Sequence, residues 1–245
     1  MKRTFVLMRK DLKEALSSKN TYLYFLILLF IAFPYFEAAR GVLNGLVQQE
    51  TSTAVIRETS QALVSSIFFT LPLVMVMLVC SVFAAYAVIM DKTKRSIESL
   101  LATPLSLRQV WIAKSLAVTI PSITIGVGIS ILLIIVLNIM VFMPVVGVII
   151  PGISSLVGGI ILIPVLTFFV VSIVTFLQLI MTNPRLASLA FSAIFIGIYL
   201  STITEVTRNW DFSLFYLLLI ALLVVINIFL SRFLTKEKII LSSKG

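Results

Sequence analysis

Six apolar runs, at 21–39, 63–90, 113–142, 154–181, 186–202 and 212–233, dominate the chain. Each is long enough to cross a hydrocarbon core, which takes about 17 to 25 residues of helix. A backbone in lipid must satisfy its own N–H and C=O groups, so only helices or a closed barrel can span. The short segments of alternating polarity that mark a barrel are missing. The expected fold is therefore all-α: a polytopic bundle of six transmembrane helices, forming one transmembrane domain over residues 1–245. Composition agrees, with 60% hydrophobic and 12% charged residues, against roughly 45–50% and 25% in soluble domains. The second, third and fourth runs exceed the minimum, so those helices tilt or protrude. The first run is too long for a signal-peptide core and reads as a retained span.

Charge sets the orientation. With both termini in the cytoplasm, only Arg40, Arg57 and Arg208 of the 19 Lys and Arg residues fall outside. The positive-inside rule selects that arrangement; the expected location is the cell (plasma) membrane, multi-pass. The net charge of +9 is thus a topology signal, and no nucleic-acid partner is expected.

Residues 4–18 read as an interface helix. Phe5, Met8, Leu12, Ala15 and Leu16 share one face at helical spacing, while Lys10, Asp11, Lys13 and Glu14 take the other. Such a helix lies on the bilayer, apolar side down and cations toward anionic lipid. The outer segment 40–62 is polar with little net charge, and helix and loop both remain open for it. Residues 143–160, MPVVGVIIPGISSLVGGI, are apolar but rich in Pro and Gly. They suit a short hydrophobic hairpin between the third and fourth runs, or a partly re-entrant turn.

Several chemistries are absent. The chain has no His, which removes imidazole metal sites. No G-x-x-x-x-G-K-[ST] phosphate loop occurs. No Asp, Glu, Lys or Arg sits at the centre of a run, which argues against proton coupling through carboxylates. Asn138, Gln178 and Asn227 are amides suited to hydrogen bonds between helices. No base accompanies a nucleophile, so no enzyme activity is expected of this chain. The single Cys80 reads as a small core hydrophobe.

The stretch DKTKRSIESLLATPLSLRQVWIAKS, residues 91–115, faces the cytoplasm in this orientation. Residues 93–102 can form a short helix with Ile97, Leu100 and Leu101 on one face. Thr103, before Pro104, is pushed out of the helical region, so that helix ends there. Ser106 and Gln109 form an S-x-x-Q capping box that starts the next helix. Trp111 and Lys114 in its first turns suit the membrane interface. The residues leave two readings open: a short helix able to move the following span as a unit, or a linker lying on lipid.

This stretch resembles the cytoplasmic loop of the membrane subunits of ABC exporters of the second type, the ABC-2 permeases. Glu98, Leu100, Leu101, Thr103, Pro104 and Lys114 match the family's recurrent pattern. The amphipathic start and the basic tail SRFLTKEKIIL are similar as well. The resemblance implies that residues 91–112 are a coupling loop docking a separate cytoplasmic ABC ATPase subunit. Lys94, Arg95, Ile97, Glu98, Leu100, Leu101, Thr103 and Pro104 would be the contact residues. It implies a second permease chain, in a homodimer or a heterodimer. No cofactor would bind this chain, with ATP and Mg held by the partner. The family's outer re-entrant helices between spans five and six have only residues 203–211 available here, too few for a helical hairpin.

Two other classes compete with an exporter subunit: an ATP-independent secondary transporter or channel, and a structural membrane subunit of a larger complex. The residues do not select a substrate.

Overall fold

The computed structural model of the chain describes residues 2–17, 19–49, 52–84, 106–181, 183, 186, 192–201 and 212–233. Among these, every regular element is helical. In chain order they are α1 (Lys2–Ser17), α2 (Lys19–Gln48), α3 (Thr53–Ala84), α4 (Leu107–Phe142), α5 (Ile153–Ile180), α6 (Ser192–Ser201) and α7 (Phe212–Leu230). Three of them, α3, α4 and α5, are long and apolar enough to cross a membrane. These mark the chain as a membrane-embedded helical protein.

α3 is the centre. Phe68, Phe69, Leu71, Leu73, Met75, Val76, Val79 and Cys80 are all buried. They cover more than half of the helix circumference, while Thr70, Val74 and Met77 on the remaining side are half-buried and Ser81 is exposed. α4 packs along α3 but shows a lipid-like side, with Ile112, Ile120, Ile131, Leu132 and Ile135 exposed.

Close approach fixes how these helices meet. A Cβ on Gly126 of α4 would lie 2.8 Å from the backbone nitrogen of Val76 on α3. A Cβ on Gly159 of α5 would lie 2.9 Å from the Phe68 carbonyl oxygen. Small residues of this kind let helix backbones touch in lipid, where packing replaces the hydrophobic drive. α7 joins through an edge-on contact of Phe69 with Tyr216, ring centroids 5.1 Å apart. It is also held by Asn227, whose Nδ2 donates to the Phe169 carbonyl of α5 at 3.1 Å. That amide bonds between helices, as the sequence suggests.

The polar segment 40–62 is helix at both of its ends. α2 continues to Gln48 and α3 begins at Thr53. Leu43, Ile56 and Ser60 are buried along these extensions, so the added turns pack on protein. The Pro- and Gly-rich stretch between α4 and α5 is a short hairpin. α4 ends in a π-helical turn, Asn138–Phe142, and α5 contains another at Gly158–Leu162. Between them Gly147 takes a φ of 82°, a left-handed conformation that favours glycine. The Asn138 side chain spans the turn: Nδ2 donates to the Ile134 carbonyl at 3.0 Å, and Oδ1 accepts from the Ile149 N–H at 2.7 Å. The Gly152 N–H donates to Ser65 Oγ on α3 at 2.8 Å.

The expected fifth span, 186–202, is described as helix only over Ser192–Ser201. Residues 203–211, where outer re-entrant helices were in question, lie outside the described residues.

Candidate functional site at the base of α4

α4 starts as its sequence dictates. Ser106 Oγ accepts from the Gln109 N–H at 3.3 Å, and Gln109 Oε1 accepts from the Ser106 N–H at 3.0 Å. Two N–H groups with no partner inside the helix are thereby satisfied. The helix therefore has a defined first residue, Leu107.

The next two turns depart from expectation. Lys114 does not reach outward: its side chain is fully buried in protein. Its Nζ meets Asp11 Oδ2 of α1 at 3.2 Å, and the Asp11 side chain is only 4% exposed. Asp11 thus points inward, away from Lys10, Lys13 and Glu14, all exposed. A charge in an apolar interior needs a charge partner, and here each supplies the other's. Trp111 is buried too. Its Nε1 donates to the Ser172 carbonyl of α5 at 2.7 Å, and its ring meets Phe176 edge-on at 5.9 Å. An indole normally reaches for interfacial water; here a carbonyl inside the bundle takes that place.

The hydroxyls that continue from this point are self-satisfied. Ser115, Thr119 and Ser122 donate to the carbonyls of Trp111, Ser115 and Val118, at 2.7 to 2.9 Å. Each bonds back to the carbonyl four residues earlier in its own helix. The result is a three-helix junction in which α4 is tied to α1 by charge and to α5 by the indole.

α1 presents its remaining faces outward. Phe5 and Val6 are 61% and 67% exposed, Arg9, Lys10 and Lys13 are exposed, and Met8 is half-buried. The side chains of Leu12 and Leu16 lie outside the described residues, as do Lys94, Arg95, Ile97, Glu98, Leu100, Leu101, Thr103 and Pro104. No group of His, Cys, Asp and Glu able to hold a metal occurs among the described residues.

A second feature is an apolar cleft of about 580 Å³ between α2, α3 and α6, lined among others by Phe30, Pro34, Tyr35, Met77 and Tyr199. The Tyr35 hydroxyl at its wall is within reach of the Tyr199 and Thr70 hydroxyls.

The ion pair escaped sequence reasoning because its halves look like ordinary surface charges, 103 residues apart. One signal was present. At roughly 100° per residue, Lys114 shares the side of α4 that carries Val118, Pro121 and Ile125, an apolar side of the kind a helix turns toward its neighbours.

Comparison with family models, with curated proteins and with solved structures returns no match to this chain.

Proposed function

We propose that the chain is the membrane-spanning permease subunit of an ATP-driven ABC exporter. In this reading it has six spans, both termini are cytoplasmic, and it lies in the plasma membrane beside a second permease chain. A separate ATPase subunit docks on residues 91–112, with Lys94, Arg95 and Glu98 as polar contacts and Ile97, Leu100 and Leu101 as the apolar ones. ATP and Mg belong to that partner.

One observation carries the reading. The helix that follows the 91–105 segment is capped at its first residue and bound at its base to two neighbours. A force on the segment would pass into α4, and from there to α1 and α5, without first being absorbed by a loose linker. A lipid-lying linker has no use for such a junction. The chain's lack of a phosphate loop fits a protein whose energy comes from elsewhere. The apolar cleft favours an apolar or amphipathic cargo over a small ion, because its lining is apolar apart from the hydroxyls of Tyr35 and Tyr199.

The test is a tagged purification from native membranes in mild detergent. A stoichiometric ATPase is expected, and it should be lost on Glu98→Arg, which reverses a charge at a polar contact. Absence of any nucleotide-binding partner in several detergents would return the chain to the self-sufficient transporters or scaffolds. An ATPase retained at full level by Glu98→Arg would remove Glu98 from the contact.

A further inference from the structure

The buried pair is not needed simply to glue α1 to α4. Apolar residues of similar volume hold two helices together as well or better than a buried ion pair does. Apolar contact is non-directional, however, so it tolerates sliding and rotation. A charge pair inside an apolar junction tolerates neither, because each displacement leaves a charge facing hydrocarbon. α1 leans chiefly on α4 and only lightly on α2. Its Phe5 and Val6 are mostly exposed, and among the described side chains of α1 the buried one is Asp11. Among the described residues, Asp11 and Lys114 are therefore the charges that distinguish one placement of α1 from its neighbours a fraction of a turn away.

We infer that Asp11 and Lys114 are positioning residues that clamp α1 to the base of α4, so that the two helices move as one body. Trp111 extends the same body to α5 through the Ser172 carbonyl. This deepens the permease reading and rests on it for its purpose: a docked ATPase that displaces α4 displaces α1 with it. The clamp itself is a property of this chain.

The experiment uses the full chain in lipid nanodiscs, with Cys80→Ala and spin labels at Lys13→Cys and Arg108→Cys, both exposed positions. The distance between the labels is read by pulsed electron paramagnetic resonance. The parent protein should show a single narrow distance. Asp11→Asn, nearly the same shape without the charge, should lose it, and so should Lys114→Met. Asp11→Glu, which keeps the charge, should retain it. Should Lys114→Met fail to fold, Asp11→Asn decides. Retention of the narrow distance by Asp11→Asn would overturn the clamp, as would its loss in Asp11→Glu, because shape and not charge would then hold the register. A merely stabilising pair would lower the melting temperature and leave the distance unchanged. Purification of the parent from native membranes is run alongside. A parent that captures no ATPase while its distances follow the expected pattern refutes the permease reading and leaves the clamp standing. A parent that captures an ATPase while Asp11→Asn keeps the narrow distance does the reverse.

Discussion

The two ends of α4 are built on different principles. Near its start, Lys114 and Trp111 reach other helices through a buried charge and an indole. Near its end, Asn138 works locally, bonding its own helix and the Ile149 N–H eleven residues on. The two sites are 24 residues apart in the helix, roughly 36 Å at 1.5 Å per residue. The base is held by a buried charge pair and a buried indole bond to other helices; Asn138 at the hairpin end bonds within its own helix and turn. A displaced charge would face hydrocarbon, which costs more than the loss of one neutral hydrogen bond.

Removal of one charge breaks this contrast most sharply. Lys114→Ala removes the cation that faces the buried Asp11 carboxylate, and should destabilise the protein by about 3–5 kcal/mol. Thermal unfolding in detergent, followed by tryptophan fluorescence, measures it. A loss as small as that of a surface pair would mean that water reaches the site. Next comes the helix contact midway. Gly126→Ala forces a methyl against the Val76 backbone and should cost about 1–3 kcal/mol. Gly128→Ala, with open space around it, is the control and should be neutral or slightly stabilising. At the hairpin end, Asn138→Leu removes the acceptor for the Ile149 N–H and should cost about 1–3 kcal/mol. Faster hydrogen exchange confined to residues 143–152 would show that the loosening stays local. Exchange that spreads to α1 would merge the two ends into one unit and dissolve the comparison. The smallest effect is expected for Ser106→Ala, about 1 kcal/mol for a lost cap, read in the same unfolding assay.

Most of the helical framework is legible without coordinates. Apolar length marks α3, α4 and α5, because lipid admits no other long backbone. The Ser106–Gln109 cap is visible because both of its partners lie within one turn. The 143–152 hairpin is foreshadowed by its Pro and Gly. The helical extension of α2 to Gln48 was undecidable, since a polar segment with little net charge suits helix and loop alike; Leu43 and Ile56 settle it by burial.

The site at the base of α4 was legible only in halves. Asp11 sits among cations and reads as one more polar residue of an amphipathic face. Lys114 and Trp111 sit at the edge of an apolar run and read as interface anchors. Each assignment follows from neighbours in the chain, and each is wrong because the deciding neighbour is elsewhere. Sequence patterns carry whatever acts over a turn or two of helix: apolar length, caps, breaks and the sign of charge. Which side of α1 faces α4, and whether a cation meets water or a carboxylate, depends on atoms 103 residues apart. Those come within 3.2 Å only once the helices are packed.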